Sequence, residues 1–292
     1  MSVPFKHGLL QAEIEQVNGR SIISSLRQRM PLRASSPLYL TDNGAVFFYI
    51  MNPAAGLLQG DQHSILLHVK QDSKAVVFGQ GATKVFRSPE GILSKQFITL
   101  RVDDGARLEY MPETVIPFAE ACLLSRTNLH ISNKASGIFW EITAPGRVAR
   151  KELFAYHLLD QQTNIFLDRE LIFSDRFKLE PATVPEFLKT WHKPLGILHG
   201  YTHMGTFWVI DPKLETVMLE LVQRNTDHKN GFLDNLAEQF NILIAGTAIR
   251  QQAYCFRAMG YSAETIQDGF KELWKILRLR LYQETEWPWR KF

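Results

Sequence analysis

Three histidines, His192, His199 and His203, fall within a dozen positions and carry imidazoles that nickel or zinc accept. Their i, i+4 spacing converges on one ion only on a helix, and Pro194, Gly196, Gly200 and Gly205 point to loops and strands instead. No HExxH carboxylate accompanies the pair, so surface or core histidines are the reading these neighbours favour. Glu109, Glu113 and Glu120 flank Met111-Pro112 and Pro117-Phe118 and could exchange protons or guide a cation. No serine or histidine stands at a spacing that would complete a catalytic set with them. Gly79-Gln80-Gly81-Ala82-Thr83-Lys84 lacks the GxxxxGK[ST] spacing of a phosphate loop and reads as a turn between strands. Glu141, followed by Arg147, Lys151 and Glu152, suggests an interior ion-pair network or a partner patch, since an unpaired buried ion costs several kcal/mol. Cys122 and Cys255 make neither a CxxC nor a zinc spacing and are expected in the core as reduced thiols.

The elements that must hold these residues are mostly strands. From about residue 10 to 175, short segments rich in β-branched and aromatic residues alternate with turns: Ala45–Ile50, Ser64–Val69, Ala75–Phe78, Gln96–Val102 and Gly137–Ile142. Asn52-Pro53, Asp72-Ser73, Asp103-Asp104-Gly105 and Ser132-Asn133-Lys134 separate them. Such spacing indicates a sandwich, barrel or solenoid rather than alternating βαβ units. The last third predicts a helix near Lys213 to Gln223 and another from an Ser262 N-cap to about Tyr282, with Ile266, Phe270, Leu273, Trp274, Leu277 and Leu281 on one face.

Composition excludes several classes. A chain of 292 residues, 45% hydrophobic and 22% charged, buries enough core to need neither disulfide nor structural metal. Thirty-three basic against 30 acidic residues leave +3, and the basic residues come as short pairs (Arg27/Arg29, Arg278/Arg280, Arg290/Lys291), not as a phosphate-tracking stripe. Nucleic acid is therefore not an expected partner. The start carries no charged stretch followed by an apolar core, and the most apolar window, Phe240–Ile249, is about half a membrane span and reads as core. A cytoplasmic protein with no membrane partner is expected.

Four stretches in order resemble the urease accessory protein family UreD, also called UreH. They are Asn52-Pro53-Ala54-Ala55-Gly56-Leu57-Leu58-Gln59-Gly60-Asp61, Gln80–Ser88 with Thr83, Lys84 and Arg87, Leu108–Phe118, and Gly146-Arg147-Val148-Ala149-Arg150-Lys151-Glu152-Leu153-Phe154. Leu273-Trp274-Lys275-Ile276-Leu277-Arg278 is similar to the family's closing helix. Ala55 and Lys151 stand where the family has glycine, which often serves positions of positive φ.

The resemblance implies a mostly β fold of solenoid-like stacked sheets with a small C-terminal helical part. It also implies one domain over residues 1–292, β-rich from 10 to 211 and helix-containing from 212 to 292. It further implies a non-catalytic metallochaperone scaffold that joins a UreF-like helical protein, a UreG-like GTPase and apo-urease, so that Ni²⁺ passes transiently through an internal polar passage with no tightly bound cofactor. A conduit needs ligands that attract the ion and release it, and Asp61, Glu113, Glu120 and Glu141 are the candidates for lining it. Gly60, Thr83, Lys84, Arg87, Arg147 and Glu152 are expected to serve the family-like turns. Trp274 and Arg278, with the tail Trp287-Pro288-Trp289, could offer a partner surface, core packing being the competing reading. Two rival functions stay open on the residues alone: a metal-dependent hydrolase built on the histidine trio, and a β-solenoid binding protein that needs no metal.

Overall fold

The structure is a computed structural model that describes residues 7–183, 198–223 and 231–284. His192 and the tail tryptophans lie outside the described residues. The chain winds as a three-sided coil. One broad side is laid down by β4 (Val46–Met51), β7 (Lys74–Gly79), β10 (Arg107–Met111) and β13 (Ser136–Thr143), each parallel to the next. The opposite broad side is β6 (Gln62–Val69), β9 (Ser94–Val102), β12 (Cys122–Ile131) and β14 (Leu158–Leu167), again parallel. Between them runs a narrow side of very short strands, β5 (Gly56–Leu57), β8 (Thr83–Val85) and β11 (Val115–Pro117). The solenoid expectation holds, and every strand segment predicted from the sequence lies within or overlaps one of these elements.

Antiparallel strands close the ends. β1 (His7–Val17) adds to β6 in parallel, and β2 (Arg20–Arg29) and β15 (Glu170–Leu179), each antiparallel to its neighbour, finish a seven-stranded sheet at its two edges. The other sheet begins with β3 (Arg33–Ala34) and ends with β16 (His203–Ile210), β18 (Ala253–Gly260) and edge strand β17 (Leu243–Arg250). The helices are α1 (Leu214–Gln223), α2 (Phe232–Phe240) and α3 (Ala263–Tyr282), the last capped by Ser262, whose hydroxyl accepts the Glu264 N–H. None is long and apolar enough to cross a membrane.

Burial explains the layering. In β6 only alternate residues, His63, Ile65, Leu67 and Val69, point inward, as expected of a sheet with one wet face. In β13 both faces are covered: Phe139 packs between the sheets, whereas Ile138, Trp140 and Ile142 pack against the helices. A strand buried on both faces reads as a continuous apolar run, which is what Ile138-Phe139-Trp140 supplies. The stack is thus sheet, sheet, helices, with one core in each gap and a third small core of Leu123, Leu159, Leu179 and neighbours near the narrow side.

The helix-containing C-terminal part also supplies β17 and β18, which extend the helix-covered sheet. One expectation needs correction. The apolar window at Phe240–Ile249 is not core throughout: Ile242 and Ile244 are buried, but Leu243 and residues 245–248 are exposed, because this stretch forms the edge strand.

Candidate functional site

Parallel registry stacks the inward side chains of successive coils into rows. One row of the seven-stranded sheet reads His63, Gln96, Ser125, Gln161, and the next reads Ile65, Ile98, Thr127, Thr163, Asp175. Further along the same strands the rows turn apolar, as in Leu67, Leu100, Leu129 and Ile165. On the other side lie Leu123, Leu159 and Leu179. A belt of polar side chains therefore crosses the inter-sheet gap between two apolar cores.

Glu141 enters this belt from the facing sheet. It sits on β13 on the same side as Phe139, and its carboxylate accepts from Thr127 Oγ1 at 2.7 Å and Thr163 Oγ1 at 3.1 Å. Burial pushes its carboxyl above the usual range, the two hydroxyls pull against that, and the charge of Asp175 adds to it. Glu141 lines a cleft of about 350 Å³ with Thr143, Gln161, Thr163, Asp175, Met204 and others, where Thr143 Oγ1 donates to Gln161 Oε1 at 2.9 Å. Arg147 is not its partner, contrary to the expectation from sequence: Arg147 pairs with Glu152 through both of its carboxylate oxygens and lies 4.0 Å over the Phe118 ring.

A second cleft of about 540 Å³ opens nearer the narrow side, lined by Asn52, His63, Thr83, Gln96, Tyr110 and Glu113 among others. Tyr110 lies between the two clefts: it lines this one, and its phenol is raised by burial and, to a smaller extent, by the Glu141 carboxylate. His63 is 3% exposed, and its Nε2 has no hydrogen-bond partner among the described residues. Burial lowers its imidazole to about 4, against a smaller opposing pull from Asp61. Glu113 follows β10 and is approached by Gln267 Nε2 of α3 at 3.4 Å. Gly79 makes room for it, because a Cβ there would come within 2.7 Å of the Glu113 amide nitrogen.

The remaining predicted residues divide clearly. Asp61 is buried and shapes the turn, accepting the Leu58 N–H at 3.0 Å, and Gly60 takes φ +77 beside it. Thr83 lines the His63 cleft, while Lys84 and Arg87 are exposed on the narrow side. Glu152 also accepts the Ala119 N–H, so the Arg147 pair fastens two turns together. Ala55 and Lys151 both adopt left-handed backbone, at φ 65 and 61. Glu120 is a correction: it is exposed at a turn with φ 62 and lines neither interior cleft.

Trp274 and Arg278 are a second correction. They are 4% and 2% exposed, so their side chains meet this chain's own sheet and not a surface. Trp274 Nε1 donates to Glu109 Oε2 at 2.6 Å, and Arg278 donates to the same carboxylate and to Glu284. Arg107 lies 3.3 Å from Glu109, donates to Glu284 at 2.9 Å and stacks 4.2 Å over Tyr282. Two of the three candidate histidines lie among the described residues, in different settings. His199 is exposed and His203 buried, with Thr202 Oγ1 2.9 Å from its Nδ1 and its imidazole lowered to about 4 by burial. Among the described residues no three His, Cys, Asp or Glu side chains converge as a metal site. Both cysteines are buried, as expected, and burial pushes the Cys255 thiol up to about 11.

His63 escaped the sequence reading, although a signal was present: it shares strand parity with Ile65, Leu67 and Val69 and so had to face the interior.

The chain matches the family described as UreD urease accessory protein over residues 6–290. It is 25% identical over 285 residues to the urease accessory protein UreD of Bacillus cereus, covering 98% of each chain. The urease accessory protein UreD of Halalkalibacterium halodurans is 30% identical over 231 residues, 79% of this chain and 83% of that one. That of Lachnoclostridium phytofermentans is 23% identical over 278 residues, 95% and 96% of the two chains.

Proposed function

Because the chain belongs to the UreD urease accessory protein family, we propose that it is a non-catalytic cytoplasmic scaffold for nickel insertion. In this reading it bridges apo-urease to a UreF-like helical protein and a UreG-like GTPase, and Ni²⁺ crosses it as cargo, held only in transit. The observation that carries the reading is the polar belt, with Glu141 held by two threonine hydroxyls and, among the described residues, no cationic side chain hydrogen-bonded to its carboxylate. A divalent ion entering such a layer meets oxygen and imidazole donors one coil apart, at sites too sparse in ligands to trap it. Apolar cores on both sides discourage escape, since a bare ion in hydrocarbon surroundings is strongly disfavoured. Glu113 and Glu141 line the proposed route, Asp61 shapes its border, and Glu120 stands outside it.

The test is nickel-dependent activation of urease on co-expression with the accessory partners. Glu141→Gln, close to isosteric, is expected to abolish most activation while the complex still co-elutes in size-exclusion chromatography. Glu120→Ala is expected to activate normally. Full activation by Glu141→Gln rejects the conduit.

A further inference from the structure

The outer face of the seven-stranded sheet takes no part in the polar belt, and registry gives it a charge that residue order hides. The face is wet: burial alternates along β6 and β12, and the helices pack on the other sheet. The outward row through Phe97 carries Arg29, Arg126 and Arg176. The row on one side of it carries Lys95 and Lys178, and the row on the other side carries Arg27. Asp160 is the one carboxylate in these rows, although the whole chain has a net charge of only +3. Asp160 does not neutralise the face, because it is shared: Arg126 and Arg176 each reach both of its oxygens, and these hydrogen bonds hold its carboxyl down to about 2 against burial. Lys178 meets Glu180 just past the strand, which leaves the other four to define the charge.

We propose that this outer face docks a folded partner protein through a carboxylate-rich surface, its arginines and lysines meeting the partner's acidic groups around the half-buried Leu66, Phe97 and Leu124. The inference deepens the scaffold reading and rests on it for the supply of partners. Charge complementarity fixes the sign of the occupant and steers its approach. Composition fixes its class: arginine beside aromatic and aliphatic groups is what protein interfaces favour, whereas a surface that tracks phosphates has no use for an apolar centre or a carboxylate among its cations. Size agrees. Seven strands about 4.8 Å apart and three rows ~7 Å apart span roughly 30 by 20 Å. That is on the order of 600 Å², the scale of one partner's share of a standard interface. The face is also prepared in advance, since the ladder holds the strands and Asp160 holds both guanidiniums, so little side-chain freedom remains to be lost on docking.

The experiment mixes the full-length chain with apo-urease, the UreF-like protein and the UreG-like GTPase, singly and together, and treats each mixture with a water-soluble carbodiimide. This reagent joins a lysine amine to a touching carboxylate as an amide, and mass spectrometry identifies the joined residues. Lys95 is expected to join an aspartate or glutamate of one partner, and its acetylation is expected to slow in that complex. The double variant Lys95→Glu with Arg27→Glu, both exposed, is expected to raise the Kd for that partner at least tenfold. Lys213→Glu, an exposed charge at the start of α1, is expected to leave it unchanged. Raising NaCl from about 50 to about 500 mM is expected to weaken the wild-type complex more than that of the double variant. Wild-type affinity of the double variant for all three partners overturns the docking face, and so does a Lys95 that reacts as fast in every complex as in the free chain. Tighter binding to a single-stranded RNA or to phosphatidylserine vesicles, lost in the double variant, assigns the charge to a polyanion and likewise overturns it. Should the double variant fold poorly, as judged by near-UV circular dichroism, the wild-type cross-links still decide. The activation assay of Glu141→Gln is a separate result: full activation there with Lys95 cross-linked removes the conduit and keeps the face, whereas a wild-type chain that binds none of the three removes the scaffold reading and the face together.

Discussion

Glu109 and Glu141 occupy opposite faces of the same sheet, and they are solved in opposite ways. Glu109 faces the helices, is fully buried, and is saturated by the Trp274 indole N–H, Arg278 and the nearby Arg107 guanidinium, with Glu284 completing the charge balance. Glu141 faces the other sheet and meets hydroxyls. A buried carboxylate with full ionic partners is closed to further ligands and serves to lock α3 to β10. One held only by hydroxyls keeps an unsatisfied appetite for positive charge. The difference separates a structural ion cluster from a place where a cation can pause.

The largest effect expected from breaking this comparison is on the closed side. Arg278→Leu leaves the buried Glu109 and the half-buried Glu284 with fewer partners, and a loss of about 3–5 kcal/mol in denaturant unfolding is expected, the usual cost of orphaning a buried charge such as Glu109. Trp274→Ala removes a packed ring and an indole donor and is expected to cost a similar ~3–5 kcal/mol. If either variant keeps wild-type stability yet loses a partner, the side chain acts at an interface after all. Glu141→Gln, by contrast, is expected to change stability by less than about 1 kcal/mol, because the amide can keep the threonine bonds while relieving the desolvation of a charge.

pH separates the buried imidazoles from the buried Glu141 carboxyl. His63 and His203 fall to about 4 in the folded chain, against roughly 6.5 unfolded. Over that window the unfolded state binds more protons, so stability is complete above about pH 6.5 and falls as the pH drops toward 4, by up to ~3 kcal/mol per histidine. Glu141 has the opposite sign, its raised carboxyl favouring the folded state at low pH and losing that contribution as pH rises above the ordinary glutamate range. Thermal unfolding followed from pH 7 to pH 4 is expected to show a decline that His63→Gln and His203→Gln each flatten. A flat wild-type profile would mean that neither imidazole is sealed from water.

The smallest effects concern backbone. Ala55→Gly and Lys151→Gly each relieve a left-handed residue, and a gain of ~0.5–1 kcal/mol is expected from differential scanning calorimetry. A loss instead would mean that unfolded-chain entropy outweighs the strain.

Much of this arrangement could be read from residue order. Strands β4, β6, β7, β9 and β13 of the broad sides announced themselves, because one-sided burial imposes alternation and two-sided burial imposes apolar runs. The narrow side did not, because elements of two or three residues, such as Gly56–Leu57, are too short for any period. The helix Phe232–Phe240 was missed for a related reason, since nine residues give too few turns for a helical period to stand out. The window at Phe240–Ile249 misled because hydrophobicity alone cannot distinguish an inner strand from an edge. Among site residues, the Arg147–Glu152 contact is local in sequence, yet Glu141 seemed as close to Arg147; Glu141 faces the inter-sheet gap from β13, whereas Arg147 lies beyond the end of that strand. The belt was illegible because His63, Gln96, Ser125 and Gln161 come together only through the registry of separate coils.

That registry also fixes how the chain can change length over evolution. A residue lost inside β13 would reverse the facing of everything beyond it, swinging Glu141 toward the helices and bringing Trp140 or Ile142 between the sheets. A residue gained in a turn such as 132–134 only lengthens a surface loop. Insertions and deletions among relatives should therefore gather at the corners of the coil, leaving the strands as rigid in length as the ladder rungs they supply.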